Sequence, residues 1–226
     1  MGVSEAISAL RSGSFVLVHD DKGRENEVDM VIPAECVQPH HIASMRSDAG
    51  GLLCLAISHE IAAKLGLGYM HDLISSMGKL NPLFSRITRG KTPYGDRPSF
   101  SISVNHRDTF TGITDNDRAL TISRMAKVCK EIDSGGPQEF ANDFFAPGHV
   151  PLLIASKNLL RDRMGHTELC VYLLQLAGLI PAVAICEMMD SVTHDALSVD
   201  KAKLYAKRLS IPVIDSEELK AHARAA

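Results

Sequence analysis

Two periods of apolar spacing alternate along the chain, and the switches between them predict the elements. Residues 3–11 carry a short helical pattern, and residues 14–18 (SFVLV) and 29–33 (DMVIP) read as strands around a polar stretch. Residues 39–46 read as helix and run into the turn Asp48-Ala49-Gly50-Gly51. The unbroken apolar run 52–57 predicts a buried strand, and Ser58 after it suits the N-cap of a short helix. Residues 66–98 are the least regular part: Gly78, Pro82, Gly90, Pro93 and Gly95 are expected to break any long element there. An excursion of that length predicts a lid or binding loop.

Residues 99–104 alternate like a strand, and 116–128 have a helical period. Leu169, Tyr172, Leu173 and Leu176 predict a helix over 167–177. Cys170, Leu174 and Ala177 make its other side apolar, so the helix is expected to be buried, with Gly178 ending it. A strand at 182–186, a helix from Ser198 to Arg208, a strand at 212–214 and a helix capped by Ser216 follow. With no repeat or linker, the alternation predicts an α/β (α+β) fold: a single layered domain over 1–226, a mixed β-sheet covered by helices.

Composition narrows the function classes. Of 226 residues, 45% are hydrophobic and 23% charged, the balance of a globular protein. The net charge of −3 argues against a general nucleic-acid or anionic-membrane binder. Aromatic residues at 5%, with no Trp, leave few platforms for base stacking. No window approaches the ~20 apolar residues of a membrane span, and the N-terminus lacks the basic-then-apolar pattern of a secretory signal. The five cysteines form no C-x-x-C pair and read as reduced thiols, so a cytoplasmic location is expected.

Five segments carry candidate chemistry. In Asp20-Asp21-Lys22-Gly23-Arg24-Glu25-Asn26-Glu27-Val28-Asp29, the acids at 25, 27 and 29 would share one face of an extended chain. That concentration of negative charge suits a divalent cation; a solvated hairpin is the alternative. Arg163-Met164-Gly165-His166-Thr167 stands just before the buried helix, where free amides and dipole favour a phosphate. A capped helix with an exposed histidine is the plainer alternative. Thr111-Gly112-Ile113-Thr114-Asp115-Asn116-Asp117 precedes another helix, as anion site or simple cap. Pro147-Gly148-His149 places a histidine after a turn, and Cys186-Glu187 ends a strand, where ligands gather in α/β sheets.

The joint order of these motifs is more specific than any one of them. Arg-Glu-Asn-Glu-x-Asp, Asp-Ala-Gly-Gly, Thr-Gly-Ile-Thr-x-x-Asp-Arg, Pro-Gly-His-Val, Arg-x-Gly-His-Thr-Glu and Cys-Glu occur in that sequence. Over residues 3–215 the chain resembles the 3,4-dihydroxy-2-butanone 4-phosphate synthase family of riboflavin biosynthesis. The resemblance implies a lyase converting ribulose 5-phosphate to 3,4-dihydroxy-2-butanone 4-phosphate and formate through a metal-stabilised enediolate, with Mg²⁺ or Mn²⁺. It implies Glu25 and His166 as metal ligands. Substrate contacts would come from Arg24, Glu25, Asp29, Thr111, Asp117, Arg163, Met164, Gly165, His166, Thr167 and Glu187. Glu187, His149, Asp20 and Glu27 would act in catalysis, with Cys54 near the site. It further implies a homodimer with interface active sites, Asp117 or His149 serving the partner's site, and neither nucleic acid nor membrane as a partner. Two departures from the family pattern stand out: Val28, expected to narrow the acidic loop, and Gly23, which removes a charge. With the sequence ending at Ala226, the GTP cyclohydrolase II activity fused to some relatives is not expected.

Overall fold

Strands buried along nearly their whole length at the centre build a seven-stranded mixed sheet that is apolar on both faces. The structure is a computed structural model that describes residues 2–88 and 92–225; Gly90 lies outside the described residues. In chain order the main elements are α1 (Val3–Arg11), β1 (Val16–His19), β2 (Val28–Pro33), α2 (Pro39–Ser44), β3 (Cys54–Ile57), α3 (His59–Lys64), α4 (Met70–Ser76) and α5 (Pro82–Ile87). They continue with β4 (Phe100–His106), α6 (Asp115–Lys130), α7 (Gly136–Asp143), β5 (Phe144–Ile154), α8 (His166–Ala177), β6 (Ala182–Glu187), α9 (Val199–Leu209), β7 (Val213–Asp215) and α10 (Ser216–Ala225). The strand order is β4-β5-β3-β6-β2-β1-β7. Pairs β1–β7 and β3–β5 are parallel, and the other four are antiparallel.

Alternate residues of each strand face opposite layers. Leu17, Met30, Ile32, Leu55 and Ile57 pack with Ile42 of α2, Ile122 and Met125 of α6 and Ala206 of α9. Val18, Val31, Cys54, Ala56 and Ile185 pack on the other face against Leu10 of α1 and Leu169, Leu173 and Leu174 of α8. Helix α8 is buried nearly all round, as its doubly apolar pattern requires, and Gly178 ends it at φ 68°. The sheet thus lies between two helical layers, and α8 starts where β2 and β6 bring Asp29 and Glu187 side by side.

Several elements depart from the sequence reading. Two short helices, α4 and α5, form within 66–98. Pro82 is the first residue of α5 rather than a breaker, because a missing N–H costs nothing at that position. Strand β5 includes Pro147-Gly148, which the sequence marks as a turn. The register jumps from Val104↔Val150 to Asn105↔Phe145, so 146–149 bulge out of the ladder and need no regular bonding. Helix α7 likewise forms where no periodicity announces it. The last helix is capped by Asp215, whose Oδ1 accepts the Glu217 amide at 3.0 Å, and not by Ser216. Val28 is fully buried in the core on the α6 side of the sheet, so it leaves the acidic loop unnarrowed. All five cysteines are free thiols, and among the described residues no helix is long and apolar enough to cross a membrane.

Candidate active site

The loop between β1 and β2 is built around Asp20. Its buried carboxylate accepts the amides of Glu25 (3.1 Å) and Glu27 (3.0 Å) and a hydrogen bond from Arg24 Nη1 (3.1 Å). Both oxygens are thus committed to bracing the loop. The chain is not extended through the acids: Asn26 takes φ 54°, in the left-handed region. Glu25 therefore does not continue a strand face with Glu27 and Asp29. Glu25 Oε2 faces His166 Nδ1 at 3.3 Å, whereas Glu27 presents its backbone carbonyl to His166 Nε2 at 3.1 Å.

That second contact decides the tautomer. A carbonyl only accepts, so Nε2 carries the proton and donates, and a neutral His166 keeps its Nδ1 lone pair toward Glu25. Around this imidazole stand five carboxylates, those of Asp20, Glu25, Glu27, Asp29 and Glu187. Asp29 is buried on β2 with Oδ1 3.7 Å from His166 Nε2 and no hydrogen-bond partner for that oxygen. Glu187 is directly opposite Asp29 across the β2–β6 ladder, and its Oε2 accepts the Leu52 amide at 2.7 Å. Like charges in directly opposed positions repel. Burial foremost, and then Glu187, Glu27 and Glu25, push Asp29 up to about 7. Burial and Glu25 also raise Glu27. Burial would lower His166, but Asp29, Glu25 and Asp20 raise it to about 9. Burial would raise Glu25, but hydrogen bonds from His166 and Tyr94 and the charge of Arg24 hold it at about 2.

A divalent cation fits this arrangement. One oxygen and one nitrogen donor at 3.3 Å match two adjacent ligands of an ion such as Mg²⁺, which at ~2.1 Å each lie about 3 Å apart. Atoms of Asp20, Glu25 and His166 lie within 4.8 Å of one another. Asp20's bonds to the loop leave Glu25 and His166 as the pair able to take the ion. The surplus of carboxylates and the orphaned Asp29 oxygen supply the charge that the ion would answer.

The second half of the site is cationic. Gly165 caps α8, and a Cβ there would lie 2.8 Å from both Arg24 Nη2 and Arg163 Nη1, so the two guanidiniums close on this glycine. Arg163 is held by Glu168 (2.7 Å) and Ser99 (2.5 Å), and Arg24 Nε by Asp96 (3.0 Å). Arg24 also stacks on Tyr94, whose hydroxyl donates to Glu25. Buried Arg24 Nη2 and Arg163 Nε have no hydrogen-bond partner. Arg24 Nη2 and Arg163, whose Nε has only the Asp96 carboxylate at 3.4 Å, stand beside the first turn of a twelve-residue helix and make an anion cradle.

A cavity of about 270 Å³ joins the halves, lined among others by Glu25, Asp29, Cys54, Arg163, His166, Thr167 and Glu187. Arg24 and Met164 line an adjoining cavity of about 320 Å³. Thr111, Asp117 and His149 line neither. Asp117 accepts the amides of Phe110, Thr111 and Gly112, and His149 Nδ1 lies 3.1 Å from Asn105 Nδ2, on the β4–β5–α6 side. The sequence reading missed Tyr94, Asp96, Ser99 and Glu168. Tyr94 and Asp96 sit in the irregular stretch, where Pro93-Tyr94-Gly95-Asp96 is legible only as a break, and Ser99 opens the strand predicted over 99–104. Glu168 belongs to the motif before α8, but nothing in its spacing says that it turns inward.

Comparison with known proteins gives the family of the chain. Residues 4–222 match the family model for 3,4-dihydroxy-2-butanone 4-phosphate synthase. The chain belongs to that family. It is 47% identical to the synthase of Archaeoglobus fulgidus over 97% of this chain and 93% of that protein. It is 43% identical to the synthase of Methanothermobacter thermautotrophicus, over 96% and 93%. A solved structure of a 3,4-dihydroxy-2-butanone 4-phosphate synthase in complex with two magnesium ions superimposes with a TM-score of 0.81 at 30% identity, covering 100% of this chain and 98% of that one. The fold is thus that of the family.

Proposed function

We propose that this protein converts D-ribulose 5-phosphate to 3,4-dihydroxy-2-butanone 4-phosphate and formate, with Mg²⁺ or Mn²⁺ held by Glu25 and His166, as one catalytic domain. The observation that carries the reading is the pairing, across two adjoining cavities, of a carboxylate–imidazole cation site with the guanidiniums of Arg24 and Arg163, each of which keeps one buried nitrogen without a hydrogen-bond partner. A sugar phosphate has complementary ends: oxygens that bind a hard cation, and a dianion. Arg24, Arg163, Gly165 and Thr167 take the phosphate, which does not react and supplies orientation. A bound divalent ion supplies Lewis-acid stabilisation of the charge that develops when a proton leaves a carbon beside the carbonyl.

Asp29 and Glu187 are the groups placed to move protons. Asp29, near 7, can both accept and return one at neutral pH. Glu187 is held by the Leu52 amide and faces the same cavity. Glu27 adds charge near both, and Asp20 acts by bracing the loop. His149, Asp117 and Thr111 reach a site only in a homodimer, where they complete the partner's cavity. Exposed Phe110 (97% accessible), Ile113 and Phe145 surround them and supply an apolar surface for that contact. A cytoplasmic location fits the free thiols.

Incubation of purified protein with ribulose 5-phosphate and Mg²⁺, followed by formate detection, tests the reading. Formate release that EDTA stops supports it; isomerisation of the sugar without formate assigns the site to a phosphosugar isomerase instead. Mixing Glu25→Ala and His149→Ala proteins tests the shared site: activity recovered in the mixture requires the two residues to act from different chains.

A further inference from the structure

His19, the last residue of β1, is buried and ties the β1–β2 loop that follows it to the end of β7, far away in sequence. Alternation along β1 turns Val18 toward the α8 side, where the site lies, and sends Leu17 and His19 to the opposite side. There His19 Nδ1 lies 2.7 Å from Asp215 Oδ2, at the end of the neighbouring parallel strand β7. Asp215 is itself fixed, because its other oxygen caps α10. His19 Nε2 lies 3.2 Å from Oδ1 of the Asn26 side-chain amide.

Asn26 separates Glu25 from Glu27 and is the loop's single non-glycine residue at positive φ, 54°. Asparagine tolerates that conformation but does not enforce it. The loop is thus gripped from two directions. On one side His166 meets Glu25 Oε2 and the Glu27 carbonyl; on the other His19 meets the side chain between them. We propose that His19, anchored by Asp215, is a positioning residue for the cation-binding loop: by holding Asn26 it fixes the backbone twist that aims Glu25 and the Glu27 carbonyl at His166.

This inference rests on the cation site proposed above, and the two can fail separately. The full-length protein is stripped with EDTA and titrated with Mn²⁺, the free ion being followed by electron paramagnetic resonance. Tight binding by the wild type and its loss in Glu25→Gln support the cation site; no binding by the wild type overturns it whatever His19 does. For His19, the two amide replacements divide the ring's contacts. His19→Asn keeps a donor where Nδ1 stands and cannot reach Asn26, whereas His19→Gln keeps one where Nε2 stands. Loss of a partner that orients metal ligands costs about 10–100-fold in affinity. His19→Asn is expected to show that loss, and His19→Gln to bind Mn²⁺ close to the wild type. Without metal, amide exchange at Glu25 and Glu27 should quicken in His19→Asn alone. Asn26→Ala alters an exposed residue and spares the core; it should match His19→Asn, while Asn26→Asp keeps the acceptor and should bind well. Wild-type affinity in Asn26→Ala, or equal losses in His19→Asn and His19→Gln, overturns the proposal.

Discussion

Glu168 offers a direct test of how the phosphate end of the site is held. Its side chain is 1% accessible and that of Arg163 13%, and their ion pair is 2.7 Å long. The second Glu168 oxygen accepts the Ser156 amide at 2.9 Å. Glu168→Ala therefore leaves a largely buried guanidinium without its principal counter-charge and a backbone N–H without an acceptor. Breaking one side of a buried pair costs about 3–5 kcal/mol. At ~2–4 °C per kcal/mol for a chain of this size, melting should fall by about 6–20 °C. Glu168→Gln retains an acceptor and the side-chain volume, and should cost about 1–3 kcal/mol. The site should register the change too. With Arg163 free to reach solvent, KM for ribulose 5-phosphate should rise more than kcat falls, because a phosphate contact is made in both the ground and transition states. Calorimetry and steady-state formate release on the two variants measure both effects. If Glu168→Ala melts within 2 °C of the wild type with an unchanged KM, the pair neither stabilises the fold nor sets the cradle.

Other consequences follow from the same contacts. A Cβ at Gly51 would lie 2.5 Å from Glu187 Oε2 and 2.6 Å from its carbonyl, so Gly51→Ala should displace Glu187 and lower kcat by about 100-fold, read from formate release at saturating substrate. Gly165→Ala places its methyl against both guanidiniums and should raise KM by roughly tenfold or more with the fold retained, checked by the same assay and a melting curve. The pH dependence has a defined sign. Asp29, raised to about 7, and His166, raised to about 9, keep protons in the folded state that the unfolded chain releases at 3.8 and 6.5. The metal-free protein should therefore lose stability as pH rises from 6 through 9, while Glu25, lowered to about 2, adds no slope in that window. In the proposed cation site Mg²⁺ would take the place of a His166 proton, so its affinity should increase over the same range, measured by calorimetric titration at several pH values.

The sequence by itself determined the layered architecture and much of the site's membership. The apolar periods of 169–177 and 182–186 could be satisfied only by a buried helix and an inner strand. The ordered motifs around Glu25, Gly165-His166 and Glu187 stood out because charged and glycine residues interrupt apolar runs there. The tertiary structure decided which of these groups meet. Asp29 and Glu187 are adjacent only because β2 pairs with β6, a register invisible in either strand alone. Asp20 and Glu25 look alike as acids, but Asp20 is buried under the loop and accepts the Glu25 and Glu27 amides, whereas Glu25 turns its carboxylate to His166. Tyr94 and Asp96 carried no local signal, since their roles come from partners 69 and 72 residues away, and the motif that contains Glu168 does not say that its side chain turns inward to Arg163. Periodicity reports how a segment faces the core, and a site assembled across strand and helix ends depends on contacts that no single segment encodes.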